Sequence, residues 1–151
     1  MPNASDSDLT EKKFPVELPI RIDWSEMDLY GHVNNVSYFK YIQASRVQYW
    51  DAVNMLRFFE TDKRSPILAS SQCNFKQPLH FPGNIVVQCR MQFVKNTSFG
   101  FEHRLLNELG EIAAEAADVM VFFDFKNHRK CPIPTEIRTD IEQLEQRPFS
   151  L

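Results

Sequence analysis

A short polar segment brings a carboxylate, a histidine and two asparagines together within eight residues. It reads DLYGHVNN, from Asp28 through Gly31 and His32 to Asn34 and Asn35, and twenty residues without glycine or proline follow it. A carboxylate can act as a general base or as a nucleophile. A helix that begins at the asparagines would present free N–H groups, which can stabilise an oxyanion. The spacing therefore permits attack on a carbonyl carbon at this segment.

Each of these residues also has a purely structural explanation. An aspartate shortly before a helix more often caps it or makes a turn, and a loop histidine more often bonds to backbone. Asn34 and Asn35 are more often helix caps, and Gly31 lets the loop bend and lets a ligand lie close to the backbone. Judged by its spacing alone, Asp28 is more often a capping or turn residue than a catalytic one.

The residues on either side of the segment indicate an α+β domain. Residues 14–24 alternate in polarity and predict a strand, with Ile20 and Ile22 on one face. After the segment, apolar or long side chains recur at spacings of three and four, which predicts one long helix with a broad apolar face. That stripe comprises Phe39, Ile42, Arg46, Tyr49, Val53 and Leu56, widened by Val47 and Trp50.

The remainder of the chain alternates with a period of two and predicts further strands. They cover residues 67–75, 85–93, 99–105 and 112–125, and a short helix follows at residues 135–146. Consecutive strands with short links favour an antiparallel sheet, and a single long helix must then pack on one face of it. The order predicts one curved antiparallel sheet wrapped around the long helix.

Composition limits the classes of protein to which the chain can belong. With 151 residues, of which 43% are apolar and 13 are phenylalanine, it can fold as one domain with a real core. The net charge of −3 and the scattered basic residues argue against nucleic acid or a membrane surface as the main partner. Cys73, Cys89 and Cys131 lie far apart, so neither disulfides nor a metal site is predicted. Residues 1–13 are predicted to be a disordered tail without a signal peptide, and residues 14–151 to form the domain, which we expect in the cytoplasm.

The segment and its surroundings resemble the 4-hydroxybenzoyl-CoA thioesterase family of the hotdog superfamily. The resemblance begins with SEMDLYGHVNNVSY at residues 25–38. It continues through QASR at 43–46, QPLHFPG at 77–83, KNTSF at 95–99, GEIAAE at 110–115 and PIPTE at 132–136. The D-x-x-G-H-V-N-N core is fairly specific for the fold and less specific for one substrate. The resemblance, which spans residues 14–140, implies a hotdog fold and hydrolysis of an acyl-CoA thioester to free acid and coenzyme A. It implies no cofactor beyond the coenzyme A of the substrate.

Carried over residue by residue, the resemblance makes Asp28 the catalytic carboxylate and places the oxyanion-binding N–H at or near Asn35. It places His32, Asn34 and Tyr38 against the acyl group of the substrate. Gly31 is predicted to contact the substrate as well, because glycine lets a ligand lie close to the backbone. Relatives form their active sites across a dimer interface, which implies a homodimer or homotetramer here. Whether Asp28 acts as a base or as a nucleophile stays open at this point.

Two departures from the family pattern narrow the mechanism. Glu26 stands where relatives often carry aspartate, and Gln43 stands where many carry an acidic residue on the helix. Gln43 argues against a helix-borne catalytic carboxylate, and neither change removes Asp28. A hydratase of this superfamily would need an Asp and a His in another arrangement with Asn-Pro nearby, and the sequence contains no such segment.

Coenzyme A carries phosphates, which bind cations or backbone amides. The candidates are Arg90, Lys95, Arg129 and Lys130, although an ordinary solvated position explains any one of them equally well. An acyl carrier protein thioester is an alternative substrate, and a non-catalytic acyl-CoA-binding protein is an alternative function. A sensor would usually carry a DNA-binding segment, and an inactive partner would be expected to lose the loop aspartate. The acidic tail and the presence of Asp28 therefore favour an enzyme.

Overall fold

In the computed structural model, which describes residues 12–149, one antiparallel sheet curves around one long helix. The strands are β1 (Val16–Arg21), β2 (Arg64–Phe75), β3 (Asn84–Val94), β4 (Ser98–Leu106), β5 (Ile112–Asp124) and β6 (Arg129–Lys130). The helices are α1 (Asn35–Ala52), α2 (Phe59–Asp62) and α3 (Thr135–Glu145), and a short 3-10 helix covers Trp24–Glu26. The sheet order is β1-β3-β4-β5-β2, and β6 pairs with β5. Each of these pairs is antiparallel, which confirms the predicted α+β fold.

The first strand is shorter than the predicted range of 14–24. It ends at Arg21 because Asp23 caps the 3-10 helix, accepting a hydrogen bond from Ser25 N–H at 2.8 Å. The N–H of Asp23 in turn donates to Glu26 Oε1 at 2.9 Å. Of the tail predicted at residues 1–13, positions 1–11 lie outside the described residues.

Strand β2 lies at the edge of the sheet, beside β5 rather than beside β3, which follows it in sequence. The residues that connect β2 to β3 form hydrogen bonds to β5 and to the loop before α1, and this path explains why β2 and β3 are not neighbours in the sheet. The N–H groups of Lys76 and Gln77 both donate to Ala113 O, at 2.8 and 3.0 Å, and Leu79 O accepts from Val33 N–H at 2.8 Å. The connection thus runs from the sheet to the loop before α1.

The buried face of α1 is rotated from the predicted stripe. Ile42 is buried as the pattern predicts, whereas Phe39 is 38% exposed and Tyr38 and Tyr41 are buried in its place. Of the other predicted positions on α1, Arg46 and Tyr49 are buried, Trp50 is partly buried and Val47 is exposed. The predicted stripe also runs past the end of α1 at Ala52, to the buried Val53 and the exposed Leu56. A tyrosine can enter the core where its hydroxyl finds an acceptor, as Tyr41 does at Glu26 Oε1, 2.9 Å away. A prediction from apolar periodicity takes no account of such acceptors, so it assigns phenylalanine rather than tyrosine to the buried face.

Two clusters of buried residues fill the space between α1 and the sheet. One joins the second half of α1 to α3 and includes Tyr49, Phe99, Phe101, Phe122 and Ile137. The other lies beneath the first half of α1 and includes Ile22, Tyr41, Ile42, Val87 and Leu105. The second cluster fixes the start of α1 against the sheet and so positions the loop before it. Within the described residues, no helix has both the length and the apolar character that a membrane crossing requires.

Candidate active site

A pocket of about 440 Å³ lies between the start of α1 and the segment that follows β2. It is lined by Asp28, His32, Val33, Asn35, Tyr38, Phe75, Lys76, Gln77 and Pro78. Val33 and Tyr38 are buried and form its closed side. Phe75 and Lys76 are exposed and form its open side.

Asp28 is held by a turn of its own loop. Its Oδ1 accepts hydrogen bonds from the N–H groups of Tyr30, at 2.8 Å, and His32, at 3.2 Å. The backbone closes the same turn, because Asp28 N–H donates to His32 O at 2.8 Å and Gly31 has a φ of +78° that favours glycine. Within residues 12–149, Oδ2 of Asp28 has no hydrogen-bond partner. One carboxylate oxygen therefore remains for a water molecule or a carbonyl carbon.

The start of α1 supplies a free amide beside this carboxylate. Asn34 caps the helix, since its Oδ1 accepts from Val36 N–H at 3.0 Å and its carbonyl accepts from Ser37 N–H at 2.9 Å. Asn35 is the first helical residue and lines the pocket. Among the described residues, its N–H finds no acceptor. A free amide at the positive end of a helix is suited to stabilise an oxyanion.

Tyr38 forms the apolar wall behind the two catalytic candidates. Its ring meets Phe75 edge-on with 5.0 Å between ring centroids, and its hydroxyl donates to Gln77 O at 3.2 Å. Burial raises the pKa of Tyr38, so the hydroxyl stays neutral and keeps its hydrogen bond to the backbone. The hydroxyl is therefore occupied by the backbone, and Tyr38, which is only 3% exposed, contributes an apolar wall to the pocket.

The structure brings some of the predicted site residues to the pocket and leaves others beside it. Those that line it are Asp28, His32, Asn35 and Tyr38. Gly31 shapes the loop and Asn34 caps the helix, and neither lines the pocket. In the part of the chain that the structure describes, His, Cys, Asp and Glu side chains do not converge in groups of three or more that could hold a metal ion.

The basic residues predicted to bind phosphates lie away from the pocket. Arg90 is on the face of β3 that points away from α1, where its Nε lies 2.8 Å from Glu102 Oε2. Lys95 lies in the turn after β3, and Arg129 and Lys130 form β6. That strand pairs with the end of β5 beside the start of β2, whereas the pocket lies at the end of β2. The two ends of a twelve-residue strand are about 36 Å apart.

The pocket wall after β2 is not predicted by the sequence. Gln77 and Pro78 mark only the end of a strand in the pattern, although both belong to the QPLHFPG segment that carries the family resemblance. Of the described residues that line the pocket, Lys76 is the only lysine or arginine. Its Nζ lies 3.9 Å from Glu115 Oε2, and half of its side chain is exposed.

A curved antiparallel sheet around a central helix defines the hotdog fold, and in this protein a pocket lies at the start of that helix. The family model described as the Thioesterase-like superfamily matches residues 22–141. The chain therefore belongs to the Thioesterase-like superfamily.

Known proteins and solved structures resemble the chain to different extents. Its structure is similar to that of a thioesterase from Thermus thermophilus complexed with coenzyme A and Zn, with a TM-score of 0.79 and 26% identity, covering 90% of this chain and 98% of that one. Its sequence is 20% identical to the long-chain acyl-CoA thioesterase FadM of Escherichia coli (strain K12), over 85% of this chain and 98% of FadM. It is 30% identical to the uncharacterized protein YsmA of Bacillus subtilis (strain 168) over 93 residues. That match spans 61% of this chain and only 58% of YsmA.

Proposed function

We propose that the protein hydrolyses acyl-CoA thioesters to a free acid and coenzyme A. The observation that carries this proposal is the position of Asp28 and Asn35 in one pocket. Within the described residues, Asp28 keeps one carboxylate oxygen unbonded and Asn35 keeps its N–H free. Membership of the superfamily and the likeness to FadM and to a thioesterase complexed with coenzyme A support the same reaction.

In the base mechanism, the thioester carbonyl carbon lies next to Asp28 and its oxygen faces the N–H of Asn35. Asp28 takes a proton from a water molecule while the water oxygen bonds to the carbonyl carbon, and Asn35 stabilises the oxyanion. The carbonyl then re-forms, the C–S bond breaks, and the thiolate of coenzyme A receives the proton from Asp28. The water oxygen remains in the free acid.

In the nucleophilic mechanism, a carboxylate oxygen of Asp28 bonds to the carbonyl carbon and expels the thiolate. The mixed anhydride that results is then hydrolysed by water, which regenerates Asp28. A single turnover in oxygen-labelled water tests for the second route, because water that attacks the Asp28 carbonyl of the anhydride leaves its oxygen in the enzyme. Label in the carboxylate of Asp28 would exclude the pure base mechanism.

A thiol-release assay over a panel of acyl-CoA substrates tests the activity itself. We expect turnover by the wild type and a loss of about 10² or more in kcat for Asp28→Asn, since general-base catalysis typically contributes that much. Asp51→Asn, at an exposed position near the end of α1, is the matched control and should retain kcat. Equal activity in wild type and Asp28→Asn, or none in either, overturns the assignment.

Acyl carrier protein thioesters and a binding measurement, added to this panel, separate the alternative functions. Thiol release from acyl carrier protein thioesters but not from acyl-CoA would identify the carrier protein as the substrate. Binding of acyl-CoA without any thiol release, measured by calorimetry, would identify a non-catalytic binding protein. Release from acyl-CoA with steady turnover excludes the second alternative.

We infer that a second copy of the chain pairs with the open edge of β2. Ile67 and Leu68 are 36% and 48% exposed there, and among the described strands only β5 pairs with β2. An unpaired edge with apolar side chains favours pairing with another chain. We expect a homodimer, or a homotetramer built from it, in light scattering. Leu68→Lys should give monomers with lower activity, and a monomeric, fully active wild type would contradict a shared site.

The cytoplasm is the location that the cysteines favour. Cys73, Cys89 and Cys131 are all free thiols in the structure, and reducing compartments keep thiols in this state. Cell fractionation tests the location, and recovery in a membrane or secreted fraction would contradict it.

A further inference from the structure

Two adjacent residues of the connection between β2 and β3, Leu79 and His80, form hydrogen bonds to the loop before α1. Leu79 O accepts from Val33 N–H at 2.8 Å, and the Nδ1 of His80 lies 3.3 Å from Gly31 O. The rings of His80 and His32 also meet edge-on, with 5.0 Å between their centroids. Because a carbonyl oxygen can only accept, we assign Nδ1 of His80 as the donor of this hydrogen bond.

This hydrogen bond leads through one peptide unit to the carboxylate of Asp28. The carbonyl of Gly31 and the N–H of His32 belong to the same peptide plane, which is rigid. At one end of the plane the oxygen accepts from His80, and at the other end the N–H donates to Asp28 Oδ1 at 3.2 Å. The two bonds together restrain the rotation of the plane, and with it the position of one of the two N–H groups that hold the Asp28 carboxylate.

We propose that His80 is a positioning residue that orients Asp28 for the reaction, acting through the peptide between Gly31 and His32. This role rests on the proposed function, because it concerns the carboxylate assigned to catalysis. His80 does not line the pocket, so it reaches the reacting atoms only through that peptide. Without the bond, the peptide beside a glycine at φ +78° rotates more freely, and Asp28 loses one of the two donors to its Oδ1.

Two substitutions of similar shape test the bond. In His80→Asn the side-chain amide nitrogen takes the place of Nδ1, whereas in His80→Gln it takes the place of Nε2. We expect His80→Gln to lower kcat about fivefold with KM unchanged, which is the effect of one neutral hydrogen bond. His80→Asn should keep kcat within about twofold of the wild type. His128→Gln, at an exposed turn after β5, is the control for a histidine outside the loop.

Amide exchange provides a readout that does not depend on catalysis. Exchange of the His32 N–H with solvent, measured by NMR, should be faster in His80→Gln and unchanged in His80→Asn. An equal loss of kcat in both His80 variants, no loss in either, or a change in KM alone overturns the positioning role. If the wild type releases no thiol from any acyl-CoA, the proposed function fails. The exchange rates then decide by themselves whether His80 holds the peptide.

Discussion

His103 Nε2 lies 2.7 Å from Asp118 Oδ2, and both side chains are completely buried beneath α1. The same carboxylate oxygen accepts from Arg46 at 3.1 Å, and the other oxygen accepts from Ser71 Oγ at 2.8 Å. The second ring nitrogen of His103 lies 3.3 Å from Ser45 Oγ. One carboxylate therefore joins α1, β2, β4 and β5, and we call these five residues the Asp118 network. It ties the helix that begins at the pocket to the strand that ends there.

Removing the charge of Asp118 is expected to destabilise the fold strongly. In Asp118→Ala, Arg46 would keep a buried charge without a counter-ion, and breaking a buried pair in this way costs about 3–5 kcal/mol. Equilibrium unfolding in urea measures the change. The control is Asp62→Ala, whose pair with Arg64 is partly exposed and contributes less than about 1 kcal/mol. Similar losses in the two variants would contradict a special role for the buried pair.

The stability that Asp118 provides is expected to disappear in acid. Burial alone raises the pKa of Asp118, but the hydrogen bond and charge of His103, together with Arg46 and Ser71, hold it below its ordinary value. A carboxyl group whose pKa is lowered by folding adds stability above its unfolded pKa of about 3.9 and loses it as the pH falls through the folded pKa. The difference in unfolding free energy between wild type and Asp118→Ala should therefore shrink below about pH 4. A difference that stays constant through the acid range would contradict this linkage.

Lys76 is expected to bind a phosphate group of coenzyme A. It stands at the open side of the pocket, and a separation of 3.9 Å makes its ion pair with Glu115 a loose one. Lys76→Gln should raise KM for acyl-CoA about tenfold, the effect of a charge-assisted hydrogen bond. KM for an acyl-pantetheine, which carries no phosphate, should not change.

Two further variants make the phosphate test specific. Lys126→Gln removes the same charge from an exposed turn after β5 and should leave KM unchanged. Glu115→Gln removes the competing carboxylate and should lower KM for acyl-CoA. A rise in KM of equal size for acyl-CoA and acyl-pantetheine would show that Lys76 contacts another part of the substrate.

The sequence predicts the strands best where every second side chain is buried. Strand β3 is predicted at residues 85–93 and observed at Asn84–Val94, with strict alternation through most of its length. Strand β2 is predicted from residue 67 but begins at Arg64. It is an edge strand with four exposed residues in succession and an irregular register between Leu68 and Ser70, so its alternation is weak. Alternation along a strand arises when one of its faces is buried, and much of β2 has no buried face.

The same reasoning explains which parts of the pocket the sequence predicts. Asp28 and Asn35 are close in sequence, so a loop followed by a helix is sufficient to bring them together. The opposite wall, from Phe75 to Pro78, comes from a segment about forty residues away and meets the loop only through tertiary packing. His80 and Asp118 belong to this second kind of contact, because their spacing in sequence carries no signal of the partners they meet.

The cap at Asn34 provides a last prediction, because it fixes the first turn of α1. Asn34→Ala removes the acceptor for Val36 N–H and should lower the unfolding free energy by about 1 kcal/mol. It should also lower kcat about tenfold, less than the 10²–10³ that loss of an oxyanion donor typically costs, because the N–H of Asn35 is displaced rather than removed. Asn34→Ser keeps a side-chain oxygen at the cap and should restore both quantities. Urea unfolding and thiol release measure them together. Because Asn34 does not line the pocket, a large rise in KM with unchanged kcat would show that it contacts substrate instead.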